Sequence, residues 1–76
     1  MENNKELLLK AAARLYSIGI EVEAARERLK KLVLFGVSYD SVEMVEALND
    51  FQTLDSQWKQ LEADYLELKK EIQNDT

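Results

Sequence analysis

Residues 47–72 read ALNDFQTLDSQWKQLEADYLELKKEI, and the spacing of their apolar positions decides the fold. Phe51, Trp58, Tyr65 and Ile72 recur every seven residues, and Leu54, Leu61 and Leu68 each follow three residues behind. Steps of three and four gather side chains onto one stripe of an α-helix, whereas a strand would alternate with a period of two. The first half of the chain repeats the rhythm at Leu8, Ala11, Leu15, Ile18, Val22, Ala25, Leu29 and Leu32. Two in-phase heptad stripes, filled in with good helix formers, predict two long helices. The core is then Leu8, Leu15, Ile18, Val22, Leu29 and Leu32 against Phe51, Leu54, Trp58, Leu61, Tyr65, Leu68 and Ile72.

Between the stripes the chain must turn. Gly36 suits a left-handed exit from the first helix, with Lys30 and Lys31 near its negative end. Asn3 with Glu6 reads as an N-cap and its reciprocal partner. Asp40 with Glu43 reads the same way for the second helix, and Tyr39 and Met44 then form a hydrophobic staple across that cap. The boundaries are a helix over about 4–35, a turn over about 36–40 and a helix over about 41–73. Gly19 costs about 0.5–1 kcal/mol against alanine in a helix interior, and it would let a neighbouring helix approach closely. The heptad phase runs through it without a skip, so a continuous or gently kinked helix is expected, with a break and a new helix from Ile20 as the alternative. So short a turn makes the helices antiparallel neighbours. The fold class is all-α: one helical-hairpin domain over residues 1–76, coiled-coil-like and antiparallel.

Composition narrows the chemistry. The chain has 76 residues with no cysteine, histidine or proline and two glycines. The missing thiol and imidazole argue against a structural zinc site and against triad chemistry, so no metal and no cofactor is expected. Glu43, Glu46 and Asp50, the pair Asp55 and Glu62, and Glu21 with Glu23 are the carboxylate clusters, and they read as solvated flank. Glycine-rich phosphate loops are missing. Arg26, Arg28, Lys30 and Lys31 form the one basic patch, but Glu23 and Glu27 interleave it and the net charge is −5, so no nucleic-acid partner is expected. No run approaches the roughly 18 apolar residues of a membrane span, and no leader pattern is evident, so the expected compartment is the cytoplasm. The halves are oppositely charged. A fold about Ser38 should bring Arg26 and Arg28 near Asp50, Lys30 near Glu46, Arg14 near Glu62 or Asp64, and Lys10 near Glu67.

The apolar surface is wider than one seam. Leu9, Tyr16, Ile20, Val33, Leu48 and Leu66 lie beside the stripes and form a candidate interface. Leaving four such side chains in water would forgo roughly 1.5–3 kcal/mol of burial each. The expected solution is a homodimer, a four-helix bundle of two hairpins, with a different cytoplasmic protein as the rival occupant.

One resemblance bears on function. The run Arg26-Glu-Arg-Leu29-Lys-Lys-Leu32 with Gly36, followed by Phe51-Gln-Thr-Leu54-Asp55, resembles the small sporulation-type aspartyl-phosphate phosphatases. These are two-helix hairpins that dephosphorylate a response regulator, with a Ser-Gln-x-Leu-Asp motif in the second helix. Gln52, Leu54 and Asp55 match that motif; Phe51 stands where the family has serine, and the spacing from glycine to motif is longer here. The resemblance implies Asp55 as the functional acid with Gln52 beside it. The residues themselves point instead to a non-enzymatic interaction or regulatory module acting through helical surfaces, with no catalytic residue assigned.

Overall fold

The computed structural model describes residues 3–74. Two helices, α1 (Asn4–Leu34) and α2 (Val42–Asn74), lie side by side as an antiparallel hairpin. Their 31 and 33 residues make a rod of 54 × 18 × 14 Å. α1 passes through Gly19 unbroken. The glycine faces the other helix: a Cβ placed on it would sit 3.4 Å from Trp58 Nε1.

Each helix end has an identifiable cause. Asn3 caps α1, its Oδ1 accepting from the Glu6 amide at 2.8 Å. Glu6 returns no side-chain bond to Asn3 among the described residues, so the expected reciprocal box is only half made. At the far end Gly36 takes φ +72°, the Gly36 amide donates to the Val33 carbonyl, and the Val37 amide donates to that of Leu32, both at 3.0 Å. This crossed pair is the Schellman arrangement, and it satisfies carbonyls that the helix leaves open.

The start of α2 differs from the sequence expectation. Ser41 is the cap, not Asp40: the Met44 amide donates to Ser41 Oγ at 3.1 Å, while the Ser41 hydroxyl donates to the Ser38 carbonyl at 2.8 Å. Asp40 instead belongs to the turn, its amide donating to Ser38 Oγ at 3.3 Å. Moving the cap by one residue dissolves the expected staple, and Tyr39 is 76% exposed. The turn therefore runs over 35–41.

The core positions all face the seam. Leu8, Leu15, Ile18, Leu29, Leu32, Phe51, Leu54, Trp58, Leu61, Tyr65, Leu68 and Ile72 are half-buried, and Val22 is buried. The tightest packing is at Met44 and Ala47, 3% and 1% exposed. Met44 lies one heptad before Phe51, so the stripe extends a turn further than its large residues suggest.

The two glycines should respond oppositely to alanine. Gly19→Ala places its methyl at ordinary contact distance from Trp58 and removes a helix-interior glycine. It should raise unfolding free energy by about 0.5–1 kcal/mol. Gly36→Ala keeps a positive φ on an L-residue and should lower it by about 1–2 kcal/mol. Urea unfolding at one fixed protein concentration measures both, and two changes of the same sign would contradict the assignment.

The caps separate in the same way. Ser41→Ala should lose about 1 kcal/mol, while Asp40→Ala should stay within a few tenths. Equal losses in chemical unfolding would return the cap to Asp40.

Candidate functional site

The seven-residue repeat places every flanking residue on one of two long sides of the hairpin. On one side, α1 presents Leu9, Tyr16 and Val33, and α2 presents Val45, Leu48 and Leu66. All six are exposed, Tyr16 at 73% and Leu9 at 62%. Ile20, 56% exposed, sits one step toward the back of α1 and rims the same side. The opposite side is polar. It carries Arg14, Glu21 and Arg28 from α1 and Asp50, Gln57 and Asp64 from α2.

A groove of about 580 Å³ runs along the apolar side, walled by Ala12, Tyr16, Gly19, Ile20, Trp58 and Tyr65. It forms because Gly19 and Ala12 offer no bulk opposite two large aromatic rings. Trp58 and Tyr65, expected as core, thus serve two purposes: one edge packs on α1 and the other lines the groove. The seven-residue spacing of Ala12 and Gly19, matched to that of Trp58 and Tyr65, was the sequence signal for this groove.

Charges interrupt the apolar side near its middle. Asp55 is held by Lys59 one turn along, at 3.0 Å, and its side chain is 30% exposed. Asp55, Glu23 and Arg26 line a second, smaller recess with Gly19 and Trp58. Gln52 is exposed on the same side of α2. Asp55 and Gln52, the pair implied by the phosphatase resemblance, therefore share a side, with the acid engaged by a lysine.

The expected ion pairs form only in part. Arg28 reaches Asp50 across the helices at 3.2 Å, whereas Arg26 turns along α1 to Glu23 at 3.7 Å. Arg26 flanks the apolar side and Asp50 the polar one, which is why one arginine reaches that acid and the other does not. Arg14 and Lys30 make no ion pair among the described residues. With both partners of Arg28–Asp50 about half exposed or more, the pair is worth about 0–1 kcal/mol. The basic patch is thus divided: two of its members are neutralised on different sides of α1.

Among the described residues, no three carboxylates converge as a cation site, and no helix is long and apolar enough to cross a membrane. The sequence matches no protein-family model, no curated protein and no solved structure. The likeness to the phosphatases thus stands on the residues quoted for it.

Trp58 is the sole tryptophan and borders the groove. If that side is covered, its emission should move to shorter wavelength as protein concentration rises, with helicity constant. An emission maximum independent of concentration, from the dilute to the high-micromolar range, would mean that nothing from the chain itself covers the groove.

Proposed function

We propose that the chain is a small interaction module that works through its helical surfaces, and that its first partner is itself, in a four-helix bundle of two hairpins. The observation that carries this reading is that Leu9, Tyr16, Ile20, Val33, Val45, Leu48 and Leu66 are exposed along one long side. The other exposed large apolar residues are Leu34, Phe35, Tyr39 and Val42 at the turn end and Leu7 on the polar side. A compact monomer of 8.8 kDa exposes about 4,800 Å², whereas this chain exposes 6052 Å². The surplus of about 1,300 Å² exceeds the ~800 Å² that each partner contributes to a standard interface. Covering the apolar side would bring the exposed surface to the level ordinary for the mass. It would also complete the shells of Trp58 and Tyr65, which α1 covers from one direction only.

The reading assigns no chemical step to the protein. A second reading, phosphatase-like regulation of a response regulator, is supported by the placement of Gln52 and Asp55 on one side of α2. Loss of response-regulator dephosphorylation in Asp55→Ala, with helicity unchanged, would establish it in place of the first.

Self-association has a direct test. Tyr16 and Ile20 changed together to serine should weaken the dimer by about 2–4 kcal/mol, since each side chain is buried once per protomer. The pair Glu27→Gln and Glu46→Gln, both exposed and off that side, should change it by well under half of that. Sedimentation equilibrium of the three proteins reports the contrast. A wild type that is monomeric at high micromolar concentration, yet helical and cooperatively folded, would remove the bundle and leave the strip to a different protein.

A further inference from the structure

We propose that the second copy packs on the apolar side with its turn at the opposite end, so that α1 lies antiparallel to the partner's α1 and α2 antiparallel to the partner's α2. The inference rests on the self-associating reading and fixes its geometry. It follows from the order of apolar and charged residues along that side.

A two-fold axis crossing the hairpin pairs positions reflected about one residue in each helix. Arg28 is level with Asp50, and Gly19 with Trp58. Glu21 and Gln57 are therefore level as well, near the middle of both helices, and they border one groove on the opposite side. Reflection of α2 about Gln57 sets Leu48 on the partner's Leu66, Asp55 on the partner's Lys59 and Gln52 on the partner's Glu62, each twice by symmetry. Val45 meets the partner's Lys69 only near the end of the overlap, where the long lysine stem can lie along it and keep its charge in water. The same axis reflects α1 about Glu21. It sets Val33 on the partner's Leu9 and Arg26 against the face of the partner's Tyr16, a favourable cation–ring contact. The Asp55–Lys59 pair, 3.0 Å apart within its own helix, becomes half of a ring of four alternating charges.

Neighbouring arrangements lose this match. Sliding the axis by half a heptad in one direction brings Asp55 onto the partner's Leu66. The other direction brings Leu48 onto the partner's Lys59. Turning the partner so that both turns share an end lays α1 on the partner's α2 at equal level, and Glu23 then faces the partner's Asp55. Like charges directly apposed in a partly dried interface are unfavourable. The axis near Glu21 and Gln57 also overlaps the helices along nearly their full length, which the surplus surface requires.

The chain has no cysteine, so engineered thiols report contacts without background. Leu48→Cys and Leu66→Cys chains are made separately, mixed and oxidised. Both sites are exposed in the hairpin, so the fold should tolerate them, and circular dichroism checks this. The mixed disulfide should exceed either self-disulfide by about tenfold or more, because like sites lie about 27 Å apart in this arrangement, beyond disulfide reach. Self-disulfides of Leu48→Cys forming as readily as the mixed one would overturn the arrangement while leaving the dimer in place. A wild type without dimer in sedimentation would overturn the dimer reading and this one together. Charge exchange gives an independent measure. Asp55→Lys and Lys59→Asp should each raise the dimer dissociation constant about tenfold, and an equimolar mixture should recover most of the loss. The intrahelical pair stays broken in both variants, so recovery reports only the contact between chains. No recovery on mixing would overturn the proposed register.

Discussion

Two helices can cover each other along one seam only, and that limit governs this molecule. A core side chain in a larger bundle is surrounded; here it has a neighbour on one flank and water on the other. Thirteen seam positions were legible from the heptads, and one of them, Val22, falls below a tenth exposed. Full burial occurs otherwise at Met44 and Ala47, at the turn end of α2. Elsewhere the aromatic residues at one heptad position keep part of their surface exposed. A groove opens beside Trp58 and Tyr65, where Gly19 and Ala12 bring no bulk.

The turn sets the register on which everything downstream depends. Gly36 ends α1 through two crossed backbone bonds, and Ser41 starts α2 through a hydroxyl that both donates and accepts. Satisfying these backbone groups fixes how many residues separate the two stripes. It therefore fixes which α1 residue is level with which α2 residue. The cross-helix ion pair Arg28–Asp50 agrees with that register but, being exposed, contributes too little to choose it.

Sequence showed the periodic features well and the local competitions poorly. Heptad spacing gave both helices and the seam, because burial of a stripe is a long-range average that single residues cannot overturn. Whether Gly19 kinks or breaks α1 was left open by the spacing, and the helix runs through it. The cap of α2 was misplaced by one residue for the opposite reason. Asp40 and Ser41 are both good cap formers, and Asp40 has the more favourable partner three residues on. The choice fell to Ser41 through the Ser38 carbonyl, a contact made only once the turn is closed. The same holds for Arg26 and Arg28. They are two residues apart, which puts them on opposite flanks of α1, and only flank decides which one meets Asp50. The candidate interface was legible as a set of apolar flanking residues. That they share one side follows from their heptad positions once the helices are antiparallel; which of them are neighbours depends on the common level of the two helices.

The charges that interrupt the apolar side have a physical use under the proposed assembly. An uninterrupted apolar strip on a rod has little to resist sliding by a heptad or reversal of the partner, because leucine packs acceptably on leucine at many offsets. Asp55 and Lys59 near the middle remove most of those alternatives. An offset that leaves either one facing a leucine strands a charge at partly dried surface, and the desolvation is not recovered. The polar residues then weaken the best complex somewhat and the competing complexes more, which is how specificity arises from interactions that add little affinity. Gly19 fits the same logic. It borders the groove near the centre of the strip, beside Trp58, where a side chain larger than alanine would fill the space through which the second hairpin approaches.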